Sequence, residues 1–474
     1  MNIKRILLII AVLIMTFALV YTPHFNNPFP IHIDEWHHIT EAIKLKSGEY
    51  SGGGIRYRFG FHFLLMILSY FVNLIEIYKF LPAIWVVISS LVLFYVVYRK
   101  TESFYLSLLS MFFFASLKSN VNILGLWFFT PLIFSIPFIF LYIYFFTEGF
   151  EKQNKKNILI SFFIMLLLIP IYSISVLFAV PFLIIYSLFY FSYIRKEWKF
   201  FSIFLAIPVL GLLLFSYFTY VSLIFAIPKL INSLQFKYGW GVLELKNSPF
   251  ELYSLLGYIL AGLGIVFIFL REKNRKKYLA YILWPIILFL SIAFYRLFDV
   301  SYLCPYQRNL YFFAISLPFL SAFGLYSLIK LLNLEKYRKV TKIIIIAIII
   351  LGVFIFTFKG YFDIPRQVAP YKLIDNKDYK ALSYLSFLPE GNVLANPGIS
   401  TTIYPIAKKG IITSIFFYAK ERRSEVDNFF KSKNCTKQKE LIKKYNVTYI
   451  LTKQKINCNW EVIYNKGDII YKVK

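Results

Sequence analysis

Residues 31–45 read Ile-His-Ile-Asp-Glu-Trp-His-His-Ile-Thr-Glu-Ala-Ile-Lys-Leu and form a polar stretch near the start of an otherwise apolar chain. On a helix, four ionisable side chains would fall at positions i, i+3, i+4 and i+7 and share one face, namely Asp34, His37, His38 and Glu41. The apolar side chains would share another face. The pattern predicts an interfacial helix with its apolar side in lipid. Ionisable groups gathered at a membrane surface indicate a functional site.

The composition places the chain among membrane proteins. Of its 474 residues, 59% are hydrophobic and 20% are aromatic. The formal net charge is +28, which in a soluble protein would suggest a nucleic-acid partner. Here the basic residues lie mostly in short clusters between hydrophobic runs or in the last hundred residues. Membrane topology and anionic lipid therefore explain the charge better, and no nucleic-acid partner is expected.

About eleven segments are apolar and long enough to be considered as membrane spans, three of them short. They cover residues 6–22, 80–98, 103–117, 121–146, 158–170, 174–194, 200–222, 251–270, 278–297, 310–333 and 343–358. If all of them span, the basic clusters between them fall on one side, which the positive-inside rule makes cytoplasmic. The sequence therefore predicts a multi-pass plasma-membrane protein with a cytoplasmic amino terminus, an uncleaved first anchor and an extracytoplasmic carboxyl terminus.

The predicted fold is a polytopic, all-α membrane domain followed by an extracytoplasmic α/β domain. Residues 1–358 form the catalytic transmembrane domain, and residues 23–79 form its long first outer loop, with the apolar run 61–75 lying in the outer leaflet. Residues 359–474 form the α/β domain, with helices at 376–386 and 422–445, strands at 393–396 and 447–452, and a hairpin at 461–473. Two of the three cysteines, Cys435 and Cys458, lie in this domain, and whether they pair stays open.

Asp34 and Glu35 are the predicted catalytic carboxylates. A carboxylate at an outer membrane surface can take the proton from an attacking hydroxyl group. Inverting sugar transfer requires one such base. The alternative for Asp34 is a helix N-cap, and the alternative for Glu35 is a solvated surface charge. Glu41 is expected to be solvated.

All five histidines lie between residues 24 and 62. His32, Asp34 and His38 have a spacing that suits a divalent metal ion. We therefore predict that His38, His37 and His32 bind substrate or a divalent metal. The alternative is that an interfacial loop uses histidine as an amphipathic filler. The sequence makes no cofactor certain.

Three arginines on the predicted outer side are candidates for binding a donor phosphate. Arg56 and Arg58 flank the outer apolar run, and Arg308 lies at the mouth of a span. Arginine can bind a phosphate group through two parallel hydrogen bonds. The alternative for each is that its long side chain reaches to the membrane interface without binding a ligand.

Several common catalytic motifs are absent from the sequence. There is no Walker A loop, which disfavours ATP-driven transport by this chain. There is also no GxSxG, HExxH or Asp-x-Asp motif. Since an outer site does not meet nucleotide sugars, the donor is expected to be lipid-linked.

The architecture resembles the GT-C-fold integral membrane glycosyltransferases, which include protein O-mannosyltransferases, the lipid A aminoarabinose transferase and oligosaccharyltransferase catalytic subunits. The stretch that begins at Asp34 looks like the acidic motif of their first outer loop, and Asp34 would match the catalytic carboxylate. The run 304–318 looks like a late-span motif whose arginine, here Arg308, approaches the donor phosphate. The resemblance implies a polyprenyl- or dolichyl-phosphate-linked sugar donor and a lipid, protein or glycan acceptor.

This chain departs from the resembled proteins in two places. The Trp-Trp-Asp signature of oligosaccharyltransferases is absent, which disfavours transfer to protein asparagine. The loop at 118–120 lacks a second acidic motif, which weakens a metal site carried over from the resemblance. Two other functions compete: a lipid-linked-sugar flippase or other polytopic transporter, and an assembly factor whose outer domain binds a partner.

Overall fold

The computed structural model describes residues 2–50, 58–204, 232, 235–237, 248–272, 275–332, 339–359, 361, 368–413 and 420–473, most of them in helices. The helices are, in chain order, α1 (Ile3–Tyr21), α2 (Ile33–Ser47), α3 (Phe59–Leu68), α4 (Leu74–Ile77), α5 (Leu81–Thr101), α6 (Phe104–Ala115), α7 (Pro131–Glu151), α8 (Lys155–Tyr172), α9 (Ile174–Leu177), α10 (Val180–Leu188), α11 (Phe191–Lys196), α12 (Leu255–Arg271), α13 (Leu279–Phe298), α14 (Tyr306–Ser316), α15 (Pro318–Leu331), α16 (Lys339–Phe358), α17 (Asn376–Ser386), α18 (Pro397–Ala407), α19 (Lys420–Lys431) and α20 (Cys435–Lys444).

The strands of the described residues form two sheets. They are β1 (Gln235–Lys237), β2 (Val300–Tyr302), β3 (Asn392–Ala395), β4 (Gly410–Ile411), β5 (Val447–Thr452), β6 (Glu461–Asn465) and β7 (Ile469–Lys472). β1 and β2 pair with each other in antiparallel fashion. The other five form one sheet in the order β4-β3-β5-β7-β6. β3 is parallel to β4 and β5, whereas β7 is antiparallel to β5 and β6.

The chain divides into two compact units. The first unit comprises Met1–Thr22, Gly53–Phe61 and Leu81–Ile364, and the second comprises Pro23–Gly52, His62–Phe80 and Pro365–Lys474. Most of the first predicted outer loop thus groups with the carboxyl-terminal residues.

Apolar helices dominate the first unit and make the chain a multi-pass membrane protein. In the part of the chain that the structure describes, seven helices are long and apolar enough to cross a membrane, fewer than the predicted spans. Four shorter apolar helices accompany them, at Phe59–Leu68, Phe104–Ala115, Ile174–Leu188 and Leu255–Leu270. Only 11% of the apolar window within Val340–Phe358 is buried. An exposed apolar surface of this extent is typical of a helix that faces lipid.

Three predicted spans need correction or lie outside the described residues. The span predicted at 121–146 begins only at Pro131, because Leu124 and Gly125 adopt left-handed backbone angles and form a turn. The apolar run 174–194 is broken into α9, α10 and α11. The span predicted at 200–222 falls outside the described residues from position 205 onward.

A buried ion-pair network joins α5 and α7 within the first unit. Lys100, in the last turn of α5, is 2% exposed. Its Nζ lies 3.2 Å from Glu148 Oε1 and also bonds Glu151. The Tyr186 hydroxyl group donates to Glu151 at 2.9 Å. A buried charge persists only with such partners, so Lys100 is a packing residue and not a solvated topology charge.

The second unit contains the five-stranded sheet and its covering helices. α19 and α20 bury Val426, Phe429 and Ile442 against the sheet, where Ile450 and Tyr471 belong to the same core. β5 is buried on both faces along most of its length, as expected for a central strand with a parallel neighbour. The predictions of a helix at 376–386, a strand at 447–452 and a terminal hairpin are confirmed.

Cys435 and Cys458 form a disulfide bond, which settles the pairing that the sequence left open. The bond joins the first residue of α20 to the segment before β6. The third cysteine, Cys304, is free and buried in the first unit. Disulfides persist mainly in oxidising compartments.

Two aspartates and a lysine meet in the second unit, beside the sheet. Asp378 and Asp468 are each 1% exposed, and Lys453 Nζ lies 2.7 Å from Asp378 Oδ1. Burial, followed by the adjacent Asp378, raises the pKa of Asp468 from 3.8 to about 7. Lys453 partly offsets this rise, and Asp375 adds to it.

We expect this raised pKa to make stability depend on pH. A carboxyl group that binds its proton more tightly in the folded chain stabilises the fold fully below pH 3.8, and this contribution is lost as the pH rises through about 7. Asp468→Asn should reduce this loss of stability with rising pH, and it should stabilise the protein above pH 7 by on the order of 1–3 kcal/mol. Thermal unfolding of the full-length protein between pH 4 and 8 measures the effect, with Asp427→Asn as the control. An unchanged pH profile would contradict the assignment.

Candidate active site

Helix α2 holds the two predicted catalytic carboxylates, and a capping box fixes its start. The His32 Nδ1 atom accepts the backbone N–H of Asp34 at 3.1 Å. Glu35 Oε2 accepts the backbone N–H groups of Ile31 and His32 at 2.9 and 3.1 Å. These bonds satisfy donors that a helix start leaves without intrahelical partners. The helix ends at Gly48, whose φ of 79° suits glycine.

The capping box gives Asp34 and Glu35 different environments. Glu35 is fully buried and directs its carboxylate at backbone N–H groups. The Asp34 side chain is 21% exposed, with Oδ2 3.9 Å from His32 Nδ1. The alternative that Asp34 is the N-cap is wrong, because His32 occupies that position. Of the two carboxylates, only that of Asp34 is accessible to solvent.

The apolar face of α2 is buried in protein. Trp36 and Ile39 are both 0% exposed, so the prediction that this face lies in lipid is wrong for them. The Trp36 indole N–H donates to the Pro30 carbonyl group at 2.9 Å and fixes the helix against the preceding segment. Tyr78 is also fully buried. Burial and then the charges of Glu35 and Asp34 raise the pKa of Tyr78 well above 10, so its hydroxyl group keeps its proton.

Three histidines of the second unit form a cluster. One nitrogen atom from each of His37, His38 and His62 lies within 4.8 Å of the other two. His38 Nδ1 and His62 Nε2 are 2.9 Å apart and share a hydrogen bond. Their ring centres are 5.1 Å apart, and the His37 ring centre lies 5.3 Å from that of His38 and 5.9 Å from that of His62. Imidazole groups gathered in this way can hold a metal ion.

A tyrosine contacts this cluster, and a glutamate interacts electrostatically with that tyrosine. The Tyr50 hydroxyl group lies 3.2 Å from His62 Nδ1. Burial and the charge of Glu41 raise the pKa of Tyr50. Glu41 itself is only 5% exposed and lies 3.5 Å from Lys44 Nζ. The prediction that Glu41 is solvated is therefore wrong.

The residues of the histidine cluster are not the same set as the metal ligands that sequence spacing predicted. The sequence grouped His32 with Asp34 and His38, whereas the structure uses His32 Nδ1 to cap α2. It brings His62 into the cluster instead. Sequence reasoning missed His62 as a site residue, although the confinement of all five histidines to residues 24–62 was the signal that could have found it.

Arg308 occupies a fixed position in the first unit. It lies in the first turn of α14, is 8% exposed, and donates from Nη1 to the Ile123 carbonyl group. The start of α14 is held by Asn309, whose side-chain amide donates to Ser291 Oγ at 2.9 Å and to the Cys304 carbonyl group at 3.3 Å. Within the run 304–318, the bonds of Asn309 thus fix the backbone around Arg308.

Arg58 also lies in the first unit and shares an electrostatic partner with Arg308. Both Arg58 and Arg308 lie near enough to the Tyr172 hydroxyl group to interact with it electrostatically. Gly60 permits this approach, because a Cβ atom there would lie only 3.1 Å from the Pro170 carbonyl carbon. Arg58 has a φ of 78°, an uncommon left-handed angle for a non-glycine residue and one that often marks a functional position.

Two of the three predicted phosphate-binding arginines thus lie within electrostatic range of one tyrosine. Arg56, the third, lies outside the described residues. Tyr172 was missed by sequence reasoning, because a tyrosine at the end of an apolar run carries no distinguishing local signal. A pair of guanidinium groups beside a phenol is a suitable environment for a phosphate group.

Comparisons with known proteins identify the fold. No protein-family model and no curated protein sequence matches the chain. Among solved structures, the archaeal oligosaccharyltransferase AglB from Archaeoglobus fulgidus, in complex with an inhibitory peptide and a dolichol-phosphate, is similar at a TM-score of 0.59 and 13% identity. The match covers 95% of this chain and 69% of that chain.

Two further structures of the Archaeoglobus fulgidus oligosaccharyltransferase agree with this match. One is tethered to an acceptor peptide, with a TM-score of 0.57, 13% identity, and coverage of 95% of this chain and 69% of that one. The other is a complex with Zn and sulfate, with a TM-score of 0.57, 13% identity, and coverage of 94% and 67%. The chain therefore has a GT-C-like fold, and the fold that the sequence resemblance implied is confirmed.

Proposed function

We propose that this protein is a membrane glycosyltransferase that uses a polyprenyl- or dolichyl-phosphate-linked sugar donor. The observation that carries the proposal is that Arg58 and Arg308, which are far apart in the sequence, both interact electrostatically with Tyr172. Two guanidinium groups favour a phosphate ligand, and a GT-C fold suits a lipid-linked one. The structural neighbours, solved with a dolichol-phosphate and with an acceptor peptide, support a lipid-linked donor and a protein, lipid or glycan acceptor.

The proposed reaction is an inverting sugar transfer. Asp34 takes the proton from the acceptor hydroxyl group as that group attacks the anomeric carbon. The bond between this carbon and the phosphate oxygen breaks, and its electron pair leaves with the polyprenyl phosphate. Arg308 and Arg58 stabilise the negative charge on the departing phosphate group. Glu35 positions Asp34 by capping the helix that carries it.

The proposed location of this chemistry is the outer face of the plasma membrane. The disulfide between Cys435 and Cys458 supports an oxidising side for the carboxyl-terminal residues. The basic clusters between the apolar helices support a cytoplasmic amino terminus. A divalent metal is the cofactor that the histidine cluster could hold, although the proton transfer assigned to Asp34 does not require one.

One observation favours the transporter alternative. Polytopic transporters place charged groups among their helices, and Lys100, Glu148 and Glu151 form a buried network in the first unit. All three residues lie in the last turns of their helices, where an ion pair also serves ordinary helix packing. Uptake of a labelled lipid-linked sugar by vesicles that contain the purified protein would support transport.

Release of polyprenyl phosphate is the direct test of the proposed function. Purified protein in lipid, supplied with a panel of synthetic polyprenyl-phosphate sugars and candidate acceptors, is expected to release polyprenyl phosphate and to form glycosylated acceptor. Heat-inactivated protein and a folded Asp34→Asn variant are the controls. Folded wild-type protein that releases no polyprenyl phosphate from any donor, with acceptors present, would contradict the proposal.

A further inference from the structure

We propose that His37, His38 and His62 form a binding site for a divalent transition-metal ion that prefers nitrogen ligands, with zinc the best match. The site lies within the second unit, and metal binding there is independent of the transfer reaction. It replaces the ligand set that sequence spacing predicted, since His32 caps α2 and His62 takes its place.

The nitrogen atoms of the cluster have separations close to those of a metal site. A tetrahedral zinc ion with Zn–N distances of about 2.0–2.1 Å holds its ligand nitrogens about 3.3 Å apart. His38 Nδ1 and His62 Nε2 are 2.9 Å apart, and all three ligand atoms lie within 4.8 Å of one another. Small side-chain rotations are therefore enough to bring the three imidazoles to a common ion.

The donor set selects the class of metal. Imidazole nitrogens suit zinc, copper, nickel and iron, whereas magnesium and calcium prefer oxygen ligands. Three protein ligands leave a fourth position for water or for a substrate group, as in zinc sites that bind exchangeable ligands. The cluster should therefore bind zinc in the presence of excess magnesium.

The surroundings of the cluster supply what metal-binding histidines need. When His62 binds metal through Nε2, its Nδ1 carries the proton and can donate to the Tyr50 hydroxyl oxygen, which lies 3.2 Å away. Such a bond fixes the ring and its tautomer. The buried Glu41 follows His37 and His38 by one helical turn on α2, and its negative charge favours a cation there.

The competing explanation is a hydrogen-bonded histidine chain that binds no metal. Both explanations account for the short distance between His38 and His62, but only the proposed site predicts that the protein binds a metal ion directly. Cobalt(II) is a suitable probe, because it replaces zinc and a tetrahedral site gives it a visible d–d absorption. The protein for the test is the full-length chain, purified in detergent and stripped with a chelator.

The wild-type protein is expected to take up one equivalent of cobalt(II), which zinc displaces and excess magnesium does not. His38→Ala and His62→Ala should each weaken binding by roughly 100-fold or more, and Tyr50→Phe by roughly 10- to 100-fold, because these changes remove a ligand or the group that orients it. His32→Asn is the matched control: it removes a nearby imidazole, keeps a good N-cap, and should leave cobalt binding unchanged.

Three results would overturn the proposal. They are the absence of stoichiometric cobalt or zinc uptake by folded wild-type protein, normal binding by His62→Ala, and an equal loss of binding in His32→Asn. If the alanine variants fail to fold, X-ray absorption of the zinc-loaded wild-type protein decides the question. A shell with three imidazole nitrogens supports the site, and a shell of oxygen atoms alone refutes it. No substrate is present in these measurements, so their outcome is independent of the transfer activity.

Discussion

The Asp34→Asn variant is expected to fold normally and to transfer sugar about 10²–10⁴-fold more slowly than the wild type, the range that a general base usually contributes. Asparagine keeps the size and shape of the side chain but cannot take up the acceptor proton. The start of α2 does not depend on the Asp34 carboxylate, because His32 and Glu35 make the capping bonds. Single-turnover transfer and thermal unfolding measure the two parts of this expectation separately.

Glu35→Gln is the matched control for this prediction, since it makes the same chemical change one residue later. The glutamine side-chain oxygen can accept the same two backbone hydrogen bonds, so the capping box should persist. We expect near wild-type transfer with a small loss of stability. A large loss of rate in Glu35→Gln, together with an active Asp34→Asn, would move the base to Glu35 and contradict the proposed roles.

The elements that sequence patterns predicted well are those with strong local signals. The helix Asn376–Ser386 follows a capping aspartate, Asp375, and its apolar residues repeat at helical spacing. The strand Val447–Thr452 is a short run of β-branched and aromatic residues, and Lys466-Gly467 lies in the turn of the terminal hairpin. In these cases the local chain alone restricts the conformation.

The predictions that failed depended on contacts between distant parts of the chain. The apolar run from residue 121 onward was predicted to be a span. Instead, the residues before Pro131 form a loop in which the Ile123 carbonyl group accepts a hydrogen bond from Arg308. Glu41 was predicted to be a surface charge, because the residues next to it in the sequence do not show that its side of the helix is buried. Hydropathy reports the apolar character of a run, but it does not report which residues bury it.

The candidate sites show the same limit. The polar face of α2 was visible from residue spacing, and so Asp34, His37 and His38 were predicted as candidate site residues. Their partner His62 comes from another helix, and Tyr172 comes from the end of a third. No period or motif links these residues, because only the fold brings them together.

Replacing Arg308 by alanine is expected to lower kcat/KM for the lipid-linked donor by about 10²–10³-fold, comparable to the removal of one preorganised donor at a developing negative charge. Arg308 is held in place by the fixed start of α14 and by its bond to the Ile123 carbonyl group, so its guanidinium group needs little reorganisation to bind phosphate. Arg308→Lys should recover only part of the loss, because lysine keeps the charge but lacks the planar fork. Initial rates of polyprenyl phosphate release at varied donor concentration measure the effect.

Arg296→Ala provides the matched control, because it removes the same charge from an exposed arginine of α13 whose Nε donates to the Tyr306 hydroxyl group at 2.9 Å. We expect this control to change the donor kinetics little.

Arg58→Ala, like Arg308→Ala, should lower kcat/KM for the lipid-linked donor. The variant that carries both Arg58→Ala and Arg308→Ala should show a smaller fold-loss of kcat/KM than the product of the two single fold-losses, because residues that bind one phosphate group are energetically coupled. A folded Arg308→Ala protein with unchanged donor kinetics would show that this arginine only supports the loop around Ile123, and the donor phosphate would then have to bind elsewhere.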